Sequence, residues 1–320
     1  MSIFQRRLTP ISPRQRDGLL ELCAVNPVLG VALAHQVLRW DHWGTGDVVL
    51  LGRPGRPRGA AWATGSLMVL GLAPDPHLGT GGAGSAELRA LADHAGRRLT
   101  RRGSVSGPAP DVAAIWGPLE AQGMLARETR WNQPVLVAPH APDAGNLASS
   151  AVRRRPGLEW VSVCLRAARP EHQELVLPAS VAMFIEEVGY DPGISGGSYA
   201  RHVSWLIAAG RTYIVLDDGA GGPVRRGSPR AVAFKADVGS LWHSPRGSVA
   251  QLTGVWTRPD LRGHGIGSVA LAATVDAVRR EHVGLQGVVS LYVNDFNAPA
   301  LGLYSSLGFT QAGTYATILL

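Results

Sequence analysis

Lysine is almost absent: Lys235 is the only one in 320 residues, so the formal charge of +7 at pH 7 rests on arginine. Cysteine is nearly as scarce. Cys23 and Cys164 stand far apart and without His or Cys neighbours at ligand spacing. That excludes a disulfide framework and makes a poor metal site, so both read as buried thiols in a reducing compartment. No stretch reaches the roughly 18 uninterrupted apolar residues of a membrane span, and Met1 to Arg7 runs into Thr9-Pro10 and Ser12-Pro13 without a central apolar run. Neither secretion nor membrane insertion is expected, and a cytoplasmic location is. The densest basic run, Arg153-Arg154-Arg155-Pro156, has no interleaved aromatics. The arginine surplus is therefore read as compositional bias plus a phosphate-bearing ligand, not as a nucleic-acid interface.

What is present is ample core material. Hydrophobic residues make up 45% and charged residues 17%, which points to a globular chain, and its length to two domains. Ala138 to Ser150 has the Pro, Gly, Ser and Ala mixture of a connector, and the arginine run follows it. The expected division is 1–137, a linker over 138–155, and 156–320.

In the second unit, Trp160 to Arg166 alternates as a strand, and Pro178 to Val188 and Ser198 to Ala209 read as helices ending at Gly189 and Gly210. Thr212 to Leu216, Ala231 to Ala236 and Val249 to Thr257 read as strands. A helix over Gly267 to Glu281, a strand over Gly287 to Val293, a helix over Ala298 to Leu307 and a strand region over Phe309 to Leu320 follow. That order describes an α/β mixed sheet with a parallel crossover.

The chemistry concentrates in Arg262-Gly263-His264-Gly265-Ile266-Gly267, a turn between a strand and a helix. Glycines there let the backbone approach a ligand, and the helix start directs N–H groups and partial positive charge outward, a cradle for an anion such as pyrophosphate. The spacing fits neither the dinucleotide fingerprint nor the phosphate-binding P-loop. Val255 to Gly267 resembles the acetyl-coenzyme A motif of the GNAT superfamily, Arg/Gln-x-x-Gly-x-Gly/Ala, with Arg262, Gly265 and Gly267 in the matching places. Asn294 to Phe309 resembles the second signature of that superfamily, Asn-x-x-Ala-x-x-x-Tyr-x-x-x-Gly-Phe, through Asn297, Ala300, Tyr304 and Gly308-Phe309.

The resemblance implies a GNAT fold whose fourth and fifth strands splay, so that acetyl-coenzyme A adds its pantetheine arm like a strand along Val255, Trp256 and Thr257. It implies that the Val255 N–H is the oxyanion donor, that Arg262 to Gly267 hold the pyrophosphate, that Asn294, Asn297 and Ala300 line the coenzyme, and that Tyr304 protonates the departing thiolate. Read on their own, Tyr304 is also compatible with a core aromatic, Asn297 with a helix cap, His264 with a solvated loop histidine and Trp256 with core packing. Where some members of the superfamily carry a glutamate base, this chain has Gln251, an amide that can orient a water but not take a proton. Glu186, Glu187, Asp191 and Asp237 are the other acidic candidates.

Residues 1–137 repeat a similar order. Helix-like Leu19 to Trp40, strand-like Asp47 to Leu51 and Ala60 to Thr64, helix-like Ala86 to Thr100 and strand-like Trp131 to Val137 succeed one another, with no Arg-x-x-Gly-x-Gly and no Tyr-x-x-x-Gly-Phe. Gly79 to Gly84 is a remote echo of the glycine turn. This resembles a tandem GNAT protein whose first copy is degenerate. The expected activity is acetyl transfer from acetyl-coenzyme A to a primary amine of a small molecule, peptide or protein. The alternative is a coenzyme-A-binding regulatory module that has lost transfer.

Overall fold

A computed structural model describes residues 8–40, 43–53, 55–74, 82–140, 147–227 and 230–320. Gly79, Thr80 and Gly81 of the glycine echo, 141–146 of the connector and Met1 to Arg7 lie outside the described residues.

The first half runs β1 (Leu8–Pro10), α1 (Asp17–Val25), α2 (Pro27–Arg39), β2 (Val48–Arg53), β3 (Arg56–Ala63), β4 (Leu67–Leu70), α3 (Ser85–Gly96), β5 (Ser104–Pro108), α4 (Ala109–Glu120) and β6 (Glu128–Val137). Two short helices, α5 (Leu147–Arg153) and α6 (Glu159–Cys164), follow. The second half is β7 (Arg166–Ala167), α7 (Gln173–Val188), α8 (Ser198–Ala208), β8 (Thr212–Asp217), β9 (Ala231–Ser244), β10 (Gly247–Thr257), α9 (Ile266–Val278), β11 (Val288–Tyr292), α10 (Ala298–Ser306) and β12 (Thr310–Leu319). Leaving α5 and α6 aside, both halves read β-α-α-β-β-β-α-β-α-β.

The twelve strands among the described residues form one sheet in the order β1-β2-β3-β4-β5-β12-β6-β11-β10-β9-β8-β7. The two halves exchange their last strands. β6 pairs antiparallel with β11, and β12 pairs antiparallel with β5 and with β6 itself. Each half therefore needs the other to close its sheet, and the ladder runs unbroken across the expected boundary. The side chains agree: Arg130 of β6 donates to Glu187 of α7 at 2.5 Å, Gln133 Nε2 donates to Asn294 Oδ1 at 2.8 Å, and Thr317 Oγ1 donates to Gln133 Oε1 at 2.7 Å.

Three expectations from sequence change. Trp160 to Arg166 is not a strand: it forms α6, with only Arg166–Ala167 extended. Trp160, Val161, Cys164 and Leu165 recur at helical spacing and pack into the core under α9, while Val163 points outward at 80% exposure. A run of apolar residues this short satisfies both periods, and the tertiary contact decides. Leu19 to Trp40 is two helices, broken where Asn26 leaves helical geometry, accepts the Leu29 N–H on its side chain and is followed by Pro27 at the first helical position. The Gly267–Glu281 helix starts at Ile266 and loosens into a π turn over Arg279–Val283.

α9 is apolar on nearly every side because it is covered on both. The sheet lies beneath it and the connecting helices α5 and α6 lie against it, the environment in which a helix loses its polar face. Asp276 survives there by accepting the Ala148 N–H at 2.9 Å from the start of α5, and burial pushes its carboxyl pKa up. Leu147 to Arg153 is thus docked against the helix that begins at the glycine turn.

Candidate functional site

The parallel pairing of β10 with β11 covers Val249↔Val288, Ala250↔Val289 and Gln251↔Ser290 and stops there. From Leu252 onward β10 diverges from β11, so that flank of the strand offers its backbone groups to something other than protein. On its other flank the register with β9 breaks between Thr253 and Trp256, leaving Gly254 and Val255 without opposite residues. Gly254 sits there at φ 56°, a bulge that re-aims the chain.

Past β10, Arg258 forks onto the buried Asp217 at 2.8 and 2.9 Å and anchors the exit of the strand. The glycine turn follows. Among the described residues, nothing accepts a hydrogen bond from the N–H groups of Gly263, His264, Gly265, Ile266 or Gly267. Five successive N–H groups at the start of a 13-residue helix make an anion cradle. Gly263 and Gly265 have φ of 80° and 86°. A Cβ on Gly267 would come within 2.8 Å of Thr257 Oγ1 and 3.3 Å of Leu303 Cδ1, so the glycine is what allows α9 to start against β10 and α10.

Arg262 lies exposed at the mouth, its Nε donating to Thr257 O at 3.0 Å and its Nη2 to Glu186 Oε2 at 2.6 Å. The other Glu186 oxygen accepts from the indole of Trp256 at 3.2 Å, and Trp256 itself is buried against α7 and α8. His264 is exposed. The other wall is α10. Asn297 caps it, accepting the Ala300 N–H at 3.2 Å. Tyr304 is 6% exposed, packs on Phe309 at 5.6 Å and makes no side-chain hydrogen bond among the described residues. Burial, then the charge of Glu187, push its phenol pKa up, so the proton is held across the neutral range.

Asn294 is engaged at both ends of its amide, accepting from Gln133 and donating to Glu187 Oε1 at 2.9 Å. Gln251 is 2% exposed with its Nε2 unpartnered, beside the Tyr315 phenol. Asp237 departs from the solvated reading given to the acidic candidates: it is buried, with Oδ2 accepting from Lys235 at 2.6 Å and Oδ1 from Thr212 at 2.8 Å. No group of His, Cys, Asp and Glu suited to a metal ion occurs among the described residues.

Arg155, part of the basic run at the connector, is not singled out as a site residue by the sequence. A Cβ on Gly265 would meet Arg155 Cδ at 2.9 Å and Nε at 3.0 Å. The arginine that read as linker charge lies along the cradle. Its position depends on the docking of α5 and α6 on α9, which no local pattern encodes.

The first half carries the splayed strand pair in a closed form. β4 and β5 pair in parallel through Leu67↔Val105 and Met68↔Ser106, and Gly71 follows at φ 75°. Aligned on Gly71 and Gly254, these pairs fall on Ala250↔Val289 and Gln251↔Ser290, and Leu72 takes the place of Val255. Here the released N–H groups are consumed: Asp111 of α4 accepts Gly71 N–H at 2.8 Å, Leu72 N–H at 2.8 Å and Ala73 N–H at 2.7 Å.

Residues 208–309 match the model of the acetyltransferase (GNAT) family, and residues 48–157 match a domain of unknown function (DUF4081). No curated protein matches. A Drosophila protein of solved structure superposes with a TM-score of 0.59 at 14% identity, covering 98% of both chains, a likeness of fold. Also similar are a GNAT-family acetyltransferase from Colwellia psychrerythraea (TM-score 0.48, 10% identity, 98% of this chain and 99% of that one) and a tandem GNAT protein from the clavulanic acid biosynthesis pathway (0.49, 15%, 97% of each). No helix among the described residues is long and apolar enough to cross a membrane. The glycine turn, the splayed strand pair and α10 thus fall within the stretch that matches the acetyltransferase (GNAT) family, residues 208–309, and the first half repeats the same order of elements.

Proposed function

We propose that the chain transfers an acetyl group from acetyl-coenzyme A to a primary amine. The observation that carries this reading is the run of five unpartnered N–H groups at Gly263 to Gly267, placed where β10 leaves β11. In this reading 156–320 is the transferring unit, 1–137 a degenerate partner and 138–155 the connector that brings Arg155 to the cradle.

The pyrophosphate is held by the N–H groups of Gly263 to Gly267, with positive charge from Arg262 and Arg155. The pantetheine arm follows Val255 to Thr257 as an added strand, with Asn297 and Ala300 lining the opposite wall and Asn294 holding that wall to β6. The neutral amine attacks the thioester carbonyl, and its oxygen develops charge against the Val255 N–H. As the new C–N bond forms and the C–S bond breaks, the thiolate takes the proton of Tyr304. A phenol that keeps its proton through neutral pH is suited to that role. Asp237 is occupied by Lys235 and Thr212 and Gln251 is an amide, so neither takes the proton the amine releases. The reading assigns it to water beside Glu187, the carboxylate whose charge the Tyr304 phenol feels.

The amide at Gln251 favours a second reading, a coenzyme-A-responsive module without transfer. One experiment separates them: thermal stabilisation by acetyl-coenzyme A, followed by thiol release in the presence of an amine panel. Stabilisation with amine-dependent thiol release supports the transferase, stabilisation without it supports the module, and no stabilisation ends both.

A further inference from the structure

Lys235, the only lysine of the chain, is wholly buried. A buried ammonium is costly unless its donors are met, and three neighbours meet this one: Asp237 Oδ2 at 2.6 Å, the Gly254 carbonyl oxygen at 3.2 Å and Met183 Sδ at 4.0 Å. Asp237 is in turn held by Thr212 of β8. A Cβ on Gly254 would strike Asp237 at 2.8 Å, Lys235 Nζ at 2.9 Å and Met183 at 2.9 Å, so the cluster is built tightly around that glycine.

The peptide that carries the Gly254 carbonyl also carries the Val255 N–H. In a trans peptide the two point in opposite directions, and resonance ties them: drawing electron density to the oxygen leaves the nitrogen poorer and its hydrogen a stronger donor. A cation on the carbonyl therefore strengthens whatever bond the N–H makes on the other side. The first half lacks the arrangement. By the pairs Ala60↔Leu70 and Asp237↔Thr253 the counterpart of Asp237 is Ala60, and there the released N–H groups are held by Asp111.

We infer that Lys235 is a positioning residue for acyl transfer, acting through the Gly254–Val255 peptide to strengthen the Val255 N–H as a donor to the thioester oxygen, with Asp237 and Thr212 fixing the ammonium. This rests on the acyl-coenzyme A reading above. A purely structural ion pair would affect stability alone, whereas this one sets the polarisation of the bound carbonyl.

The test is the isotope-edited infrared spectrum of acetyl-coenzyme A, carbon-13 labelled at the thioester carbonyl, bound to the wild-type chain and to Lys235→Met/Asp237→Asn, which removes both buried charges together. Thermal stabilisation by coenzyme A, which has no thioester, reports folding and cradle binding separately. The expected result is a carbonyl band displaced to lower wavenumber in the wild type and returned toward the free position in the variant, with equal stabilisation by coenzyme A. If the double variant does not fold, Lys235→Gln/Asp237→Asn keeps hydrogen-bonding groups in place, and the same loss of displacement is expected. A displaced band that persists in the folding variant overturns the inference and leaves the acyl-coenzyme A reading standing. A wild type that binds but shows no displacement also overturns it. A wild type that does not bind coenzyme A overturns the functional reading and this inference with it.

Discussion

The two halves repeat one plan and differ in what occupies the point where the fourth strand leaves the fifth. In the second half, β10 leaves β11 after Gln251, and Gly254 and Val255 have no opposite residues on β9 either. In the first, the N–H groups of Gly71, Leu72 and Ala73 close onto Asp111. A splayed strand pair leaves donors that must be satisfied, by a ligand or by the chain itself. Internal satisfaction gives a rigid building block, and leaving the task to a ligand gives a binding site. The exchanged final strands, β6 and β12, explain why a closed half is retained: without it β11 loses a neighbour and the Arg130–Glu187–Asn294 network has no anchor.

The comparison can be broken at several points. Tyr304→Phe keeps the apolar packing of the ring on Phe309 and removes the proposed acid, so turnover should fall by roughly 100- to 10,000-fold while coenzyme A affinity holds, measured by steady-state kinetics beside calorimetry. Asp111→Ala strands three donors, two of them buried, and should lower unfolding stability by about 3 kcal/mol or more in denaturant titration, with no second coenzyme site appearing.

The contact between the halves should respond to acid. His35 of α2 donates to the Leu241 carbonyl of β9 through Nδ1, which leaves Nε2 to accept from Arg211, both at 3.2 Å. Burial, then the charge of Arg211, lower its pKa from 6.5 to about 4. The unfolded chain binds this proton more readily, so the stability is fully present above pH 6.5 and is lost as pH falls toward 4. The loss amounts to about 3 kcal/mol, and His35→Gln should flatten that part of the profile. The smallest effect concerns the connector: Arg155→Ala should weaken coenzyme A binding by about ten-fold and reduce its salt sensitivity, without changing the turnover of bound substrate.

Much of the second half could be read from sequence because its signals are local. Gly189 and Gly210 end helices by adopting positive φ, and the strand-turn-helix around Arg262 to Gly267 is contained in about twenty residues. What escaped depends on tertiary contact. Asp111 in the first turn of a helix looks like an ordinary complement to the helix dipole, and only the fold brings it to β4. Lys235 and Asp237 alternate along a strand like any solvent-facing pair, until α7 and β8 cover them. β4 and β5 carry too little local signal to be seen in the sequence, because Leu67–Leu70 and Ser104–Pro108 are short.

One splayed strand pair is open and the other is closed on Asp111, and calorimetric titration with coenzyme A tests that difference most directly. One site per chain, abolished by Gly265→Asp and unaffected by Asp111→Asn, is the predicted result. Two sites, no site, or one site insensitive to Gly265→Asp would contradict it.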